Sequence, residues 1–122
     1  MDRSQLQLLQ GTLDMLVLQA LAREPDHGYG VARWIRHTTD GELEIEEGAL
    51  YTALHRMEKR GWLKATWGVS ENNRRAKFYA LSAAGRKAMQ RDTLTWRRYV
   101  SAVFRVLDAA GCQPGSPEGA HG

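Results

Sequence analysis

The sequence has a single cysteine and no long apolar run, and these shortages exclude several classes of protein. Cys112 has no partner for an internal disulfide, which fits a reducing compartment, so we expect a cytoplasmic protein. No stretch approaches the roughly 20 apolar residues that span a bilayer. The first residues lack the basic and apolar regions of a signal peptide. A length of 122 residues suits one globular domain.

Catalytic and metal-binding patterns are also missing from the sequence. The four histidines are scattered at His27, His37, His55 and His121, and none forms a spaced metal set or a nucleophile–base pair with Cys112. No glycine-rich loop of the phosphate-cradling kind is present. We therefore expect a protein that is not an enzyme and that needs no metal or cofactor.

Charge is distributed unevenly along the chain. Residues 1–50 hold four arginines and nine acidic residues, a net charge of −5, whereas residues 51–122 hold thirteen basic and five acidic residues, a net charge of +8. This polarity favours a basic face for an anionic partner, and an ordinary solvated face is the alternative.

One stretch, residues 46–63, has the full pattern of a helix that could read DNA. Leu50, Leu54 and Met57 form an apolar stripe at helical period, and Gly61 supplies a left-handed stop. The opposite face is small and polar at its start and basic further along, as a helix in a major groove requires. An ordinary surface helix is the alternative. This opposite face carries Ala49, Thr52, His55, Arg56 and Lys59.

Two shorter helices are predicted before this stretch, one over residues 13–21 and one over 27–37, with Thr12 and Asp26 as their caps. Residues 42–45 form either a short strand or an extended entry. This spacing is typical of a helix-turn-helix unit. The first helix is apolar nearly all round, so its second face meets either another subunit or a later helix of the same chain. The residues assigned to the subunit contact are Leu13, Met15 and Leu18.

A basic hairpin follows the central helix. Residues 62–67 and 77–81 are rich in strand formers and flank a turn-forming segment with two adjacent asparagines. A basic hairpin directly after a recognition helix is the wing of a winged helix, and a plain exposed hairpin is the alternative. Arg74 and Arg75 at its tip, with Lys77 nearby, suit phosphate contacts or a narrow minor groove.

A last helix, capped by Ser82, is predicted over residues 83–109. At about 25 residues and roughly 40 Å it is too long for the small body before it, so we expect it to pack on a second copy of itself. The fold class is mainly α with a small β-hairpin: a winged helix-turn-helix domain (1–81), a dimerisation helix (82–109) and a disordered tail (110–122). The dimerisation stripe is Trp96, Tyr99, Val100, Val103, Phe104 and Leu107.

These motifs together resemble the PadR family of bacterial transcriptional regulators over residues 9–108. The motifs that carry the resemblance are Gln10–Leu18, His27–Gly30, Glu46–Glu58 and Glu71–Tyr79. The wing and the Glu-Glu-Gly opening of the central helix are similar to the short, acidobacterial-type branch. The resemblance implies a winged helix, a homodimer formed by the last and first helices, and a repressor that binds an inverted repeat of double-stranded DNA. Ala49 and Thr52 depart from the branch, which usually has Ser or Thr and then Pro there.

Each DNA-contact prediction has an alternative. The hydroxyl of Tyr51 could reach a phosphate, as the resemblance implies, or Tyr51 could sit at the core edge. Glu47 could accept from a cytosine amine or interact with the helix dipole. His55 could bond a base or stay solvated, and Tyr29 could anchor the backbone or pack. The DNA-contacting set is Tyr29, Glu47, Gly48, Ala49, Tyr51, Thr52, His55, Arg56, Lys59, Asn73, Arg74, Arg75 and Lys77.

Trp96 is the candidate contact for a small aromatic effector. In a symmetric dimer two indoles could face each other and sandwich a flat molecule, and the resemblance allows such a ligand. The alternative is a packed interface residue. For the whole protein, the alternative to a DNA-binding repressor is a winged-helix module for protein–protein contacts, because fold alone does not fix function.

Overall fold

The computed structural model describes residues 11–111, and within this range the chain forms four helices and a three-stranded antiparallel sheet. Cys112 and all but the first two residues of the predicted tail lie outside the described residues. The predicted order of three helices, a hairpin and a long last helix is confirmed. The elements are α1 (Thr12–Arg23), β1 (Asp26–His27), α2 (Gly28–Thr38), α3 (Glu47–Lys59), β2 (Leu63–Val69), β3 (Arg75–Leu81) and α4 (Ala83–Ala109).

The beginning and end of α3 follow local hydrogen bonding. The carboxylate of Glu46 accepts from the backbone N–H of Ala49 at 3.0 Å and caps the first turn. At the other end Gly61 has φ +87°, and Trp62 donates its N–H to the carbonyl of Met57 at 3.0 Å. This is a Schellman ending, which requires the left-handed residue that the sequence provides. The predicted stop of the central helix is therefore confirmed.

Both predicted caps of the shorter helices are wrong. Thr12 is the first residue inside α1, and Gly11, with φ +88°, precedes the helix without a side-chain cap. The cap of α2 is His27, whose Nδ1 accepts from the backbone N–H of Gly30 at 3.0 Å. Asp26 is held in a strand, where its carboxylate accepts from the N–H of His27 at 2.8 Å. The second helix therefore begins later than the local pattern indicates.

Strand β1 was not predicted. Its two residues pair with β3, with Asp26 opposite Tyr79 and His27 opposite Phe78, so the sheet order is β1-β3-β2. A strand of two polar residues has no pattern that sequence reasoning can recognise. It forms only because β3, about fifty residues later in the chain, provides its hydrogen-bonding partners. The segment 42–45 contains only a single bridge residue, Leu43, which agrees with the extended entry rather than a strand.

A single core holds these elements together. The predicted core residues of α3 are fully buried, and Tyr79 is among the largest of the fully buried side chains. Leu18 is also fully buried in this core, so its assignment to a subunit contact is wrong: helices of the same chain already cover that part of α1. The buried apolar residues are Val17, Leu18, Ala20, Leu21, Val31, Ile35, Leu50, Ala53, Leu54, Met57, Leu63, Tyr79 and Ala88.

The chain divides into two compact units, Met1–Gln90 and Arg91–Gly122, and the core lies in the first. The start of α4 belongs to this unit. The Oγ of Ser82 accepts from the N–H of Gly85 at 3.0 Å, which confirms the predicted cap, and donates to the carbonyl of Gly61 at 2.6 Å. A Cβ on Gly85 would collide with the carbonyl of Trp62, so only glycine permits this approach. None of the helices within residues 11–111 has the length and apolarity needed to cross a membrane.

Candidate nucleic-acid interface

The hairpin and the exposed side of α3 enclose one open cleft of about 610 Å³. Its walls come from α2, α3 and both hairpin strands, so side chains far apart in sequence meet there. Both aromatic rings and cations line it, a combination that suits a sugar–phosphate backbone. Six of the predicted DNA-contacting residues line this cleft: Tyr29, Tyr51, His55, Arg74, Arg75 and Lys77.

The remaining predicted residues of α3 lie on its solvent-exposed face, outside the cleft lining. The opposite face is packed in the core through Leu50, Leu54 and Met57. The face that the sequence predicted to contact DNA is therefore not used for core packing. The first turn of this face carries Gly48 and Ala49 beside Glu47, so its backbone is open to close approach at the two small residues. The exposed residues outside the cleft lining are Glu47, Gly48, Ala49, Thr52, Arg56 and Lys59.

The two tyrosines of the cleft are held in different ways. The ring of Tyr51, 40% exposed, packs on Gly28, where an added Cβ would lie 3.0 Å from the ring. Tyr29 is 56% exposed, and the guanidinium of Arg33 lies 5.5 Å from the centre of its ring. Both rings are therefore fixed against the start of α2, and both remain accessible from the cleft.

The tip of the hairpin is a tight turn with defined hydrogen bonds. The N–H of Ser70 donates to the carbonyl of Arg74 at 2.8 Å, and the N–H of Asn73 donates to the carbonyl of Ser70 at 2.9 Å. Asn73 has φ +59°, the left-handed geometry that asparagine tolerates best among residues with side chains. This geometry confirms the predicted turn chemistry and presents Arg74 and Arg75 at its end.

A three-residue network, which we call the hairpin latch, ties this tip to α2. It consists of His27, Arg33 and Glu71. Because Nδ1 of His27 accepts the cap bond from Gly30, its Nε2 carries the proton and faces Glu71 Oε1 at 3.3 Å. The other oxygen of Glu71 accepts from Arg33 at 3.0 Å. A bond to its own backbone, followed by those to His27 and Arg33, lowers the pKa of Glu71 to about 2.

Two predicted phosphate-binding cations are engaged inside the protein. Arg56 makes a two-point ion pair with Asp14 of α1, with Nη2 2.9 Å from Oδ1, and this hydrogen bonding raises the pKa of Arg56. Lys77 lies opposite Trp67 midway along β3, not at the tip. Its ammonium is 3.2 Å from Glu58 of α3, and this bond raises the pKa of Lys77. Both cations connect α3 to neighbouring elements.

The model of the transcriptional regulator PadR-like family matches residues 17–91, more than half of the chain. The chain belongs to the PadR-like family of transcriptional regulators. The resemblance drawn from the sequence motifs is therefore confirmed, and with it the winged-helix fold class. The family and fold are those of regulators, a class that is generally not enzymatic.

Solved structures of PadR-family and related regulators have the same fold. A transcriptional regulator from Clostridium thermocellum is 28% identical, with 79% of this chain and 90% of that chain covered and a TM-score of 0.71. A PadR family regulator from Eggerthella lenta is 30% identical, with 80% of this chain and 83% of that chain covered and a TM-score of 0.66. A PadR family regulator from Clostridium difficile is 26% identical, with 80% of this chain and 99% of that chain covered and a TM-score of 0.69. An uncharacterized protein of Lysinibacillus sphaericus is 24% identical over 89 residues, 73% of this chain and 82% of its own.

The described part of the second unit of this PadR-family chain consists mainly of α4, whose predicted stripe is largely open. Tyr99, Val103, Phe104 and Leu107 are exposed, whereas Trp96 and Val100 are half-buried. The ring of Trp96 lies 5.5 Å from that of Tyr99, tilted by 32°. In the first unit, Leu13 and Met15 of α1 are half-buried.

Sequence reasoning assigned no functional role to the three latch residues, His27, Arg33 and Glu71, or to Trp67 in the cleft. His27 and Glu71 carried the family resemblance but received no role, because their contact joins residues 44 positions apart. Trp67 was placed in a strand without a side being assigned to it. Its ring is 60% exposed in the cleft, with the guanidinium of Arg75 stacked 4.6 Å from its centre. Only the hairpin register, which pairs Trp67 with Lys77, could have revealed this position.

Proposed function

We propose that this PadR-family chain is a sequence-specific repressor that binds an inverted-repeat operator as a homodimer. The observation that carries the proposal is the cleft that α3 and the hairpin arginines share. A recognition helix needs an exposed face beside a cationic support for the phosphate backbone, and the two occur here side by side.

The exposed face of α3 enters the major groove. Gly48 and Ala49 let its first turn approach the base edges, and the hydroxyl or methyl group of Thr52 makes a direct contact. His55 follows one turn later and bonds a base or a phosphate, while Lys59 neutralises a phosphate. Because α3 is held by the core through its opposite face, these side chains are presented on a rigid element.

The hairpin and the tyrosines grip the backbone beside this groove. Arg74 and Arg75 contact phosphates or enter the minor groove, where guanidinium groups are favoured when the groove is narrow. Tyr29 and Tyr51 donate their hydroxyls to phosphates on the strand that crosses the cleft. The hairpin latch keeps the tip at a fixed distance from α2 during these contacts.

Dimerisation is supported by the open apolar stripe of α4. Large apolar side chains in a row along a helix lose contact with water when a second copy covers them, which contributes about 25 cal/mol per Å². A two-fold axis through this helix pair would bring two Trp96 rings into proximity. A flat aromatic effector bound between them would release the operator by changing the spacing of the two recognition helices.

The experiment that tests the proposal is selection of bound duplexes from a random library by the purified protein. We expect an inverted repeat whose half-sites are about one helical turn, roughly 10 base pairs, apart. Thr52→Ala with His55→Ala should recover a different or less defined half-site. The matched control is Lys87→Ala, an exposed cation outside the cleft lining, which should recover the wild-type repeat. Recovery of no enriched sequence would refute a sequence-specific regulator.

A further inference from the structure

The hairpin exposes two large apolar side chains beside its cationic tip. Trp67 is 60% and Val69 is 65% exposed, and both lie on β2. Apolar groups next to arginines at a tip are not needed for an electrostatic contact with phosphate. Trp67 lines the cleft whose other wall is the recognition helix, which indicates that this ring contacts the same partner as that helix.

The strand register shows which way these side chains point. Directly opposed residues of an antiparallel pair share one face, as do alternate residues of one strand. Ala65 pairs with Tyr79, Trp67 with Lys77 and Val69 with Arg75. Because Tyr79 is buried in the core and Trp67 lines the cleft, this face runs continuously from the core into the cleft beside α3. Trp67 and Arg75 therefore project toward the proposed DNA.

The stacking of Arg75 on Trp67 gives the pair two kinds of contact surface. The guanidinium carbon of Arg75 lies 4.6 Å from the centre of the Trp67 ring, the distance of a cation–π contact, and the N–H groups of a guanidinium in such a contact can still donate to a phosphate. The rest of the exposed indole is apolar. The indole of Trp67 and the guanidinium of Arg75 together suit a ligand that has an apolar group next to an anionic group.

We infer that Trp67 and Arg75 form a binding site for one deoxyribose–phosphate unit of the operator, in which the indole contacts the sugar and the guanidinium binds its phosphate. The inference rests on the proposed function and extends it to a contact that is apolar. Charge supports this occupant, since Arg74 and Arg75 line the same cleft as the ring and neither forms an ion pair with another residue of the range 11–111. In a duplex the faces of the bases are covered by stacking, and the apolar group directly attached to each phosphate is the sugar, so an apolar ring beside a phosphate-binding guanidinium is placed against a sugar.

The salt dependence of binding separates the two halves of this site. Counterion release makes the slope of log Kobs against log salt depend on the phosphates neutralised, and an apolar contact does not enter it. For a labelled duplex from the selection, Trp67→Ala should weaken binding about tenfold at every salt concentration and leave the slope unchanged, because the apolar area that the indole buries against the sugar is lost. Arg75→Gln should lower the slope by about one.

Tryptophan fluorescence supplies a second measurement with a matched control. Trp34 also has a stacked arginine, Arg23 at 4.5 Å, but it lines a different cleft. Duplex binding should quench part of the tryptophan fluorescence of the wild type. This quenching should be absent in Trp67→Phe and still present in Trp34→Phe. Because both variants keep an aromatic ring, they remain informative even if Trp67→Ala unfolds.

Each contrary outcome overturns the inference in a recognisable way. Unchanged affinity of Trp67→Ala would show that the ring makes no contact with DNA. A slope lowered by about one in that variant would show that Trp67 only orients Arg75. If Trp67→Ala no longer forms a dimer on size-exclusion chromatography, the ring is a subunit contact. If the wild-type protein binds a single strand more tightly than the duplex, the ring is a site for base stacking. Failure of the wild-type protein to bind any duplex would instead refute the proposed function.

Discussion

Apart from Lys59, the cations predicted to contact DNA fall into two pairs, and the structure predicts that only one of these pairs contributes to the salt dependence of DNA binding. Arg74 and Arg75 at the hairpin tip form no ion pair within residues 11–111. Arg56 and Lys77 are held by Asp14 and by a glutamate of α3. A cation already paired with a carboxylate releases few counterions when DNA arrives, because its charge is compensated beforehand.

The magnitude follows from counterion release. Since each neutralised phosphate contributes about 0.9 to the slope, Arg74→Gln with Arg75→Gln should lower it by about 1.8. Over a fourfold rise in salt, from about 50 to about 200 mM, the ratio of the wild-type binding constant to that of this variant should then fall about twelvefold. The assay is fluorescence anisotropy of a labelled duplex across a series of KCl concentrations.

The matched control is Arg56→Gln with Lys77→Gln, which removes the same two charges. We expect its slope to stay close to that of the wild type. Its free energy of unfolding should fall instead, because two contacts between elements are lost and two carboxylates remain unpaired. A slope lowered by about two in the control, or unchanged in the tip variant, would contradict the division of the four cations.

Three further predictions concern stability and assembly. Leu54→Ala should lower the free energy of unfolding by about 2–5 kcal/mol in urea titrations, because it opens a cavity in a fully buried position of α3; a loss below about 1 kcal/mol would contradict that packing. Because the pKa of Glu71 is about 2 when folded and its ordinary value is 4.5, its contribution to stability is present above about pH 4.5 and is lost as the pH falls toward 2. The stability difference between the wild type and Glu71→Gln should therefore shrink over that range in urea titrations at stepped pH, and a difference that does not change with pH would show that the hairpin latch does not stabilise the fold. Phe104→Ala with Leu107→Ala should shift sedimentation toward the monomer while the first unit keeps its helical circular dichroism; an unchanged dimer would remove this stripe from the interface.

The sequence was sufficient to predict elements whose signal is local. The apolar stripe of α3, its left-handed stop at Gly61 and the long α4 with its cap at Ser82 all depend on residues within one or two turns of each other. Periodicity also predicted which face of α3 is buried, because burial repeats with the helix. These features fixed the winged-helix class before any contact between elements was known.

The sequence was not sufficient where a contact joins distant residues. Periodicity assigned Arg56 to the exposed face correctly, but it could not show that Asp14, 42 positions away, lies within reach of its guanidinium. Strand β1 and the role of His27 depend on β3 and Glu71 in the same way. Leu18 shows the converse error, since an apolar residue on the second side of a helix can be covered by its own chain as well as by a partner.

The hairpin leaves and rejoins the fold at almost the same point. Ser82 donates its hydroxyl to the carbonyl of Gly61, and its backbone N–H donates to the carbonyl of Trp62 at 2.9 Å, so the residues just before β2 and just after β3 are bonded to each other. These two bonds close the base of the hairpin, while the pairing of β3 with β1 and the hairpin latch hold its side and its tip against the rest of the fold. Two residues added to each strand would lengthen its reach by about 7 Å and preserve the alternation of faces. Reach along the DNA can therefore change without altering the bonds at the base of the hairpin, but the tip would then lose the latch that ties it to α2.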